Sequence, residues 1–175
     1  SFGKNIDIPA NAQLLDAKGA YVGPGFVDIH VHGGEDSRFE TDPEKVVKHF
    51  LKKGTTTILA GLSYSLSKEK YLRGIELVKK AKENVDIGKV IGGFYMEGPY
   101  LNPKYGANAD LNPWRGDVLP EDYKQLADEA GSLVKVWVVA PEREGLEPFL
   151  KYAKKVNPDV RFSVKHGKIC LDVDE

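Results

Sequence analysis

A chain of 175 residues, 41% hydrophobic and 29% charged, has the composition of an ordinary globular domain and is long enough to bury one sizeable core. Its 25 Lys and Arg nearly balance 26 Asp and Glu, and neither sign collects into long blocks, so there is no electrostatic footprint for nucleic acid or an anionic membrane; the expected partner is a small molecule. No apolar run reaches about 18 residues, no basic-then-apolar leader opens the chain, and the single cysteine, Cys170, excludes an internal disulfide, which together point to a cytoplasmic protein without a membrane span.

Residues 1–22, with KNIDIP and QLLDAKGAYV broken by Pro9 and Gly19, read as short antiparallel strands standing apart from the rest of the chain. From Pro24, apolar strand-like runs alternate with amphipathic helical runs, the signature of βαβ units and a parallel sheet. GFVDIHVH is the first strand. A helix comes next over Thr41 to Leu51, with Asp42 as N-cap, Pro43 at the first helical position, and Val46, Val47, Phe50 and Leu51 on one face. Gly54 stops it, and TTTILAGL, rich in β-branched residues, is strand two. Ser67 caps a long helix to about Asn84, carrying Tyr71, Leu72, Ile75, Val78 and Ala81 at helical spacing. KVIGGFYMEG is strand three, Pro103 to Gly116 a loop dense in Gly, Asn and Pro, and PEDYKQLADEAG a short helix ended by Gly131. VKVWVVAP, LEPFLKYAKKVN and VRFSVKH supply strand four, helix four and strand five.

The order βαβαβαβαβ begins both an open doubly wound sheet and a (β/α)8 barrel, and a closed barrel typically takes about 250 residues. The chain opens on Ser1 and closes on the polar CLDVDE, so it is expected to be a piece of a longer protein. Three segments are delimited: 1–22, the βα series 23–166, and a tail 167–175 outside the pattern.

Side chains alternate across a strand, so Asp28, His30 and His32 are expected on one face at its C-terminal end, where parallel strands present functional groups. Two imidazoles so stacked reach one metal ion, and Asp28 could hold a ring N–H or contact the metal site directly. The plain alternative is a chance HxH with both rings bonded to loop carbonyls. Strand three ends in YMEGPYLNP, with Tyr95 and Glu97 on one face and Phe94 and Met96 on the other; Glu97 could be a metal ligand, a general base, or a carboxylate accepting loop N–H groups. In strand five, Phe162, Val164 and His166 share an apolar face, where a lone histidine is more often structural. Each interior layer of a barrel is nevertheless filled from alternate strands, and strands one, three and five carry His30, His32, Glu97 and His166. That coincidence favours one shared metal site.

His49 reads as a surface or helix-end residue and Cys170 as a free thiol. Trp114 and Arg115 either touch a ligand from the long loop or merely pin it. No Gly-rich phosphate loop of Walker or dinucleotide type is present.

In chain order, PGFVDIHVHGG, GTTTILAGL, MEGPYLNPKYGAN and VVAPE resemble the N-acetylglucosamine-6-phosphate deacetylases of the amidohydrolase superfamily, from about Gly19 to His166. The Asp-His-His strand alone marks the superfamily, whereas EGPYLNP followed by Gly-Ala and Ala-Pro-Glu is more specific. The resemblance implies the N-terminal part of a (β/α)8 TIM barrel, strands one to five, with residues 1–22 contributing a β segment to a small β-sandwich. It implies one or two divalent ions (Zn, Fe, Mn or similar), hydrolysis of the N-acetyl amide of an amino sugar phosphate, and a homo-oligomer for the full-length protein. Matched residue by residue, Glu97 and His166 are metal ligands, His30 and His32 are the pair found in members with a second metal, and Ala107 and Asn108 fall in the substrate-touching Gly-Ala-His segment.

Three departures stand out. Asn108 replaces the family histidine; KHGKICLDVDE replaces a strand end of Gly-His followed by Ser or Thr; and strands six to eight are absent from these 175 residues, and with them the family's remaining histidine ligand, its substrate-binding histidine, its phosphate-binding residues and the proton-shuttling aspartate, which is expected beyond residue 175. The chain is therefore expected to hold much of a metal site and no catalytic acid or base, to be inactive or nearly so alone, and to self-associate through an unpaired fifth strand. Two other readings compete: another amidohydrolase, such as a cyclic amidase or deaminase, and a non-catalytic truncated half-barrel that at most binds metal.

Overall fold

The computed structural model describes residues 3, 6–106 and 109–164. Nine elements succeed one another as β1 (Phe26–Val31), α1 (Pro43–Lys52), β2 (Thr55–Ser63), α2 (Lys68–Lys82), β3 (Ile91–Glu97), α3 (Pro120–Ala130), β4 (Val134–Val139), α4 (Leu146–Val156) and β5 (Arg161–Val164). Local chemistry sets their ends. The Asp42 carboxylate accepts the Lys45 N–H at 3.0 Å and Pro43 opens α1; the Ser67 hydroxyl caps α2; Pro120 opens α3, and Gly131 at φ 56 closes it. A two-residue hairpin, Gly33–Gly34 against Ser37–Arg38, comes after β1; with strand segments that short, periodicity carries no signal for it.

All five strands pair in parallel and in chain order, β1 to β5. That order separates the two architectures left open by the sequence. A doubly wound sheet reverses direction at a switch point, which puts helices on both faces; here each crossover adds its strand beside the one before it, and the sheet curls into half of a (β/α)8 barrel.

The sheet's two faces differ. Ile58, Ala60, Leu62, Phe94, Met96, Trp137 and Val139 pack against Val46, Tyr71, Ile75, Val78, Leu126 and Phe149 of the helices. Each such side chain contributes about 1.5–3 kcal/mol when fully buried, so this layer holds the sheet. The inner face carries only a small cluster, Leu59, Tyr64, Tyr95, Leu101 and Val138, and leaves room for the buried, polar Glu97.

The expected N-terminal strands are not formed among the described residues. Residues 6–25 carry no strand, and Ile6, Ile8, Leu14, Leu15, Tyr21 and Val22 stand exposed. A β segment needs neighbours to satisfy its backbone and cover its apolar face, and none of the described residues pairs with it. Residues 165–175, hence His166 and the tail, lie outside the described residues, as do Ala107 and Asn108.

Candidate metal centre

His30, His32 and Glu97 converge at the C-terminal edge of the sheet, each offering a ligand atom within 4.8 Å of the others. The two Nε2 atoms lie 3.2 Å apart. Glu97, 5% exposed on the central strand, brings Oε2 to 2.9 Å from His32 Nε2 and Oε1 to 3.7 Å from His30 Nε2. β2 runs between β1 and β3, so the rings must reach over a strand, a span of about 10 Å at the usual strand spacing. The His32 ring passes over Gly61. A Cβ there would lie 2.6 Å from the Val31 carbonyl oxygen and 3.1 Å from His32 Nδ1. Only a residue without a side chain lets β1 and the His32 ring sit this close.

The Gly61 carbonyl also fixes the tautomer. It can only accept, so the His32 nitrogen 3.2 Å away, Nδ1, carries the proton. In the neutral ring the Nε2 lone pair then points at the Glu97 carboxylate. Two lone pairs 2.9 Å apart repel unless a proton or a cation lies between them. A tetrahedral ion with ligands at about 2.0–2.1 Å holds them about 3.3 Å apart, and the three separations here, 3.2, 2.9 and 3.7 Å, bracket that value. Two imidazoles and one carboxylate are also the donor types that Zn²⁺ and similar divalent ions prefer. The donor set fits a metal.

Supporting groups hold these three in place. Tyr95, on the inner face as its spacing from Glu97 predicts, stacks on the His30 ring at 4.4 Å with 22° between planes. Between Asp28 and Val31 the β1–β2 register slips by one residue: Asp28 aligns with Ile58 and Val31 with Ala60. The Asp28 carboxylate accepts the main-chain N–H of His30 at 3.0 Å, a bond that positions this irregular stretch of the strand. From the helix side, the buried Tyr71 hydroxyl lies 3.1 Å from the Leu62 carbonyl and 3.3 Å from that of Glu97, while Trp137 Nε1 donates to the Gly98 carbonyl at 2.7 Å. Burial, with the Glu97 charge second, pushes the Tyr71 phenol well above its ordinary pKa, so it stays a donor. Gly98, at φ 95 and with Tyr64 Cβ only 2.8 Å from where its own would be, turns the chain immediately after Glu97.

The long loop after β3 is pinned by Trp114, which is buried, donates to the Leu66 carbonyl at 2.7 Å and meets Tyr71 and Tyr100 edge-on. Arg115 stays local, on the Ala109 carbonyl and Asp110. The residue that ties the loop down is Arg143, whose guanidinium donates to the carbonyls of Leu101, Trp114 and Gly116 and lies over the Tyr100 ring. Burial lowers its pKa. His49 packs edge-on against Phe50, 3.8 Å from Glu35, away from the centre. A cavity of about 490 Å³ opens beside His32, bounded by the hairpin from Gly33 to Arg38 and by Thr41, room enough for a small polar ligand.

Sequence reasoning brought His30, His32 and Glu97 together and missed Gly61, Tyr71 and Arg143. An isolated glycine inside a β-branched strand signals close approach of another group and could have found Gly61. Tyr71 and Arg143 carried no such signal.

No helix among the described residues is long and apolar enough to cross a membrane. No protein-family model matches the chain. It is 30% identical to the N-acetylglucosamine-6-phosphate deacetylase of Bacillus subtilis over 163 residues, 87% of this chain and 38% of that protein. The crystal structure of an N-acetyl-D-glucosamine-6-phosphate deacetylase from Mycobacterium smegmatis superposes with a TM-score of 0.64 at 30% identity, covering 83% of this chain and 38% of the other. A stretch amounting to 49% of the chain is 34% identical to an adenine deaminase of Kosmotoga olearia, 14% of whose length it covers. Over most of its length, then, in sequence and in fold, this chain is similar to the N-acetylglucosamine-6-phosphate deacetylases, of whose length it spans 38%.

Proposed function

We propose that the chain carries the metal-binding part of a hydrolase that removes the N-acetyl group from N-acetylglucosamine 6-phosphate or a similar amino sugar phosphate. The observation that carries this reading is the His30, His32 and Glu97 cluster, whose 2.9–3.7 Å separations match ligands on one divalent ion. Bound there, such an ion supplies a polarised carbonyl and a water acidified toward about pH 7. The residues of this chain do the holding. His32 keeps its proton on Nδ1, against Gly61, so that Nε2 stays free to ligate; Tyr95 fixes the plane of His30; and Glu97 brings a negative charge that offsets the ion's. The side chains of His30 and His32, 31% and 27% exposed, leave the centre open to a ligand. Ala107 and Asn108 contact the sugar in this reading. His166 is a further ligand in this reading. The acid–base aspartate is expected outside these 175 residues, so the chain alone binds metal without turning over substrate. A phosphorylated sugar does not cross membranes, and the reading therefore places the protein in the cytoplasm.

The test is metal stoichiometry of this chain by equilibrium dialysis with Zn²⁺, Co²⁺ and Mn²⁺, alongside acetate release from N-acetylglucosamine 6-phosphate. One or two ions bound, lost in H32A and E97Q, with no acetate release, is the expected result. Absence of binding refutes the metal centre, and metal-dependent acetate release refutes the missing acid–base step. The partial match to an adenine deaminase favours a second reading, a deaminase of the same superfamily, which ammonia release from adenine would reveal.

A further inference from the structure

We infer that Tyr71 is a positioning residue for the metal centre, setting the distance between His32 and Glu97 from the far side of the sheet; the inference rests on the metal-centre reading. Tyr71 stands in the first turns of α2 and is fully buried among the helix-layer residues. Its single phenolic proton lies between two carbonyls on neighbouring strands, Leu62 at 3.1 Å and Glu97 at 3.3 Å. Both strands are ending there: Ser63 and Glu97 form the last pair of the β2–β3 register. At that point the ladder no longer holds the strands in step.

The two carbonyls are not arbitrary ones. Leu62 comes directly after Gly61, whose carbonyl orients the His32 ring, and Glu97 is itself a ligand. One hydroxyl thus ties the peptide next to one ligand's support to the peptide of the other. The 2.9 Å contact between His32 Nε2 and Glu97 Oε2 joins the side chains that these two supports carry. Trp137 reinforces it by holding the Gly98 carbonyl at 2.7 Å, so the peptides on both sides of Gly98 are anchored from the helix layer while the Glu97 side chain projects inward. A buried aromatic that only filled space would need no hydroxyl here. Loss of a group that orients a ligand typically weakens metal affinity 10–100-fold.

The test is Co²⁺ affinity of the 175-residue chain, by competition with a chromophoric chelator, and the visible spectrum of the bound ion, in wild type, Y71F and Y152F. Tyr152 bonds Asp128 on the outer helix layer and controls for loss of a phenol as such. Expected is at least about a tenfold weaker affinity and a shifted Co²⁺ spectrum in Y71F, with Y152F unchanged. Equal affinity and spectra in wild type and Y71F overturn the inference and leave the metal centre standing; absence of binding by wild type overturns both. Should Y71F not fold, a ring-fluorinated tyrosine at position 71 keeps the shape and strengthens the donor. It should shift the Co²⁺ affinity and spectrum, and an unchanged affinity and spectrum refute the role.

Discussion

Replacing Gly61 by alanine adds one methyl group at the point where β1, β2 and the His32 ring come closest. The new Cβ would meet the Val31 carbonyl oxygen at 2.6 Å, and reaching an ordinary contact of 3.4 Å requires β1 to retreat by about 0.8 Å. The neighbour is backbone, so no rotamer change relieves it. Overpacking of this kind costs about 1–3 kcal/mol, and the lower chain entropy of alanine in the unfolded state returns about 0.5–1 kcal/mol. A net loss of up to about 2.5 kcal/mol lowers Tm by up to roughly 10 °C in a domain of this size. The larger effect falls on the site. The retreat stretches the 3.2 Å bond between His32 Nδ1 and the Gly61 carbonyl and draws Nε2 from Glu97, so metal affinity should fall about 10–100-fold. Chelator competition and a thermal melt read the two quantities separately. G116A, at a position with no heavy atom within 4 Å of its Cβ, is the control and should alter neither. Affinity within twofold of wild type in G61A would show that His32 is not held by this close approach.

E97Q keeps the shape of the side chain but removes its charge, and should weaken metal binding by at least about 100-fold, measured by the same competition; a smaller loss would leave the carboxylate a structural acceptor. Tyr100 Oη is buried without a hydrogen-bond partner among the described residues, so Y100F should leave Tm unchanged or raise it; a fall of several degrees would reveal a partner. Burial raises the pKa of Tyr71 and of Tyr100, so above about pH 10 the unfolded chain releases phenolic protons that the folded chain retains. The stability each phenol contributes is present below that pH and declines above it by up to about 1.4 kcal/mol per pH unit, and Y100F should show the shallower slope in alkaline melts. R143M removes the donors to three loop carbonyls, and limited proteolysis between residues 102 and 118 should accelerate at least several-fold.

Much of this protein was legible in its residues. Asp42–Pro43 and Pro120 mark where helices start, Gly131 marks where one stops, and the apolar spacing of α2 and α4 names the faces they bury. These signals are local, since each depends on backbone conformation within a few positions. The site was legible for a related reason. Period-two alternation puts His30 with His32, and Tyr95 with Glu97, on one face whatever the rest of the chain does.

What the tertiary structure decided is everything that depends on which strands become neighbours. Sequential pairing turned an ambiguous βα series into a half-barrel, and it put β2 between the histidines and Glu97, so that the empty side of Gly61 became part of the site. The bulge between Asp28 and Val31 arises from the pairing of β1 with β2 and leaves no trace in the composition of either strand. Tyr71 reads as one more apolar helix position, and Arg143 as one more surface charge, until the fold brings carbonyls from distant loops and strand ends within reach. A strand shows its faces through alternation, but the partner opposite a given face is set by long-range packing, and no spacing within the strand encodes it.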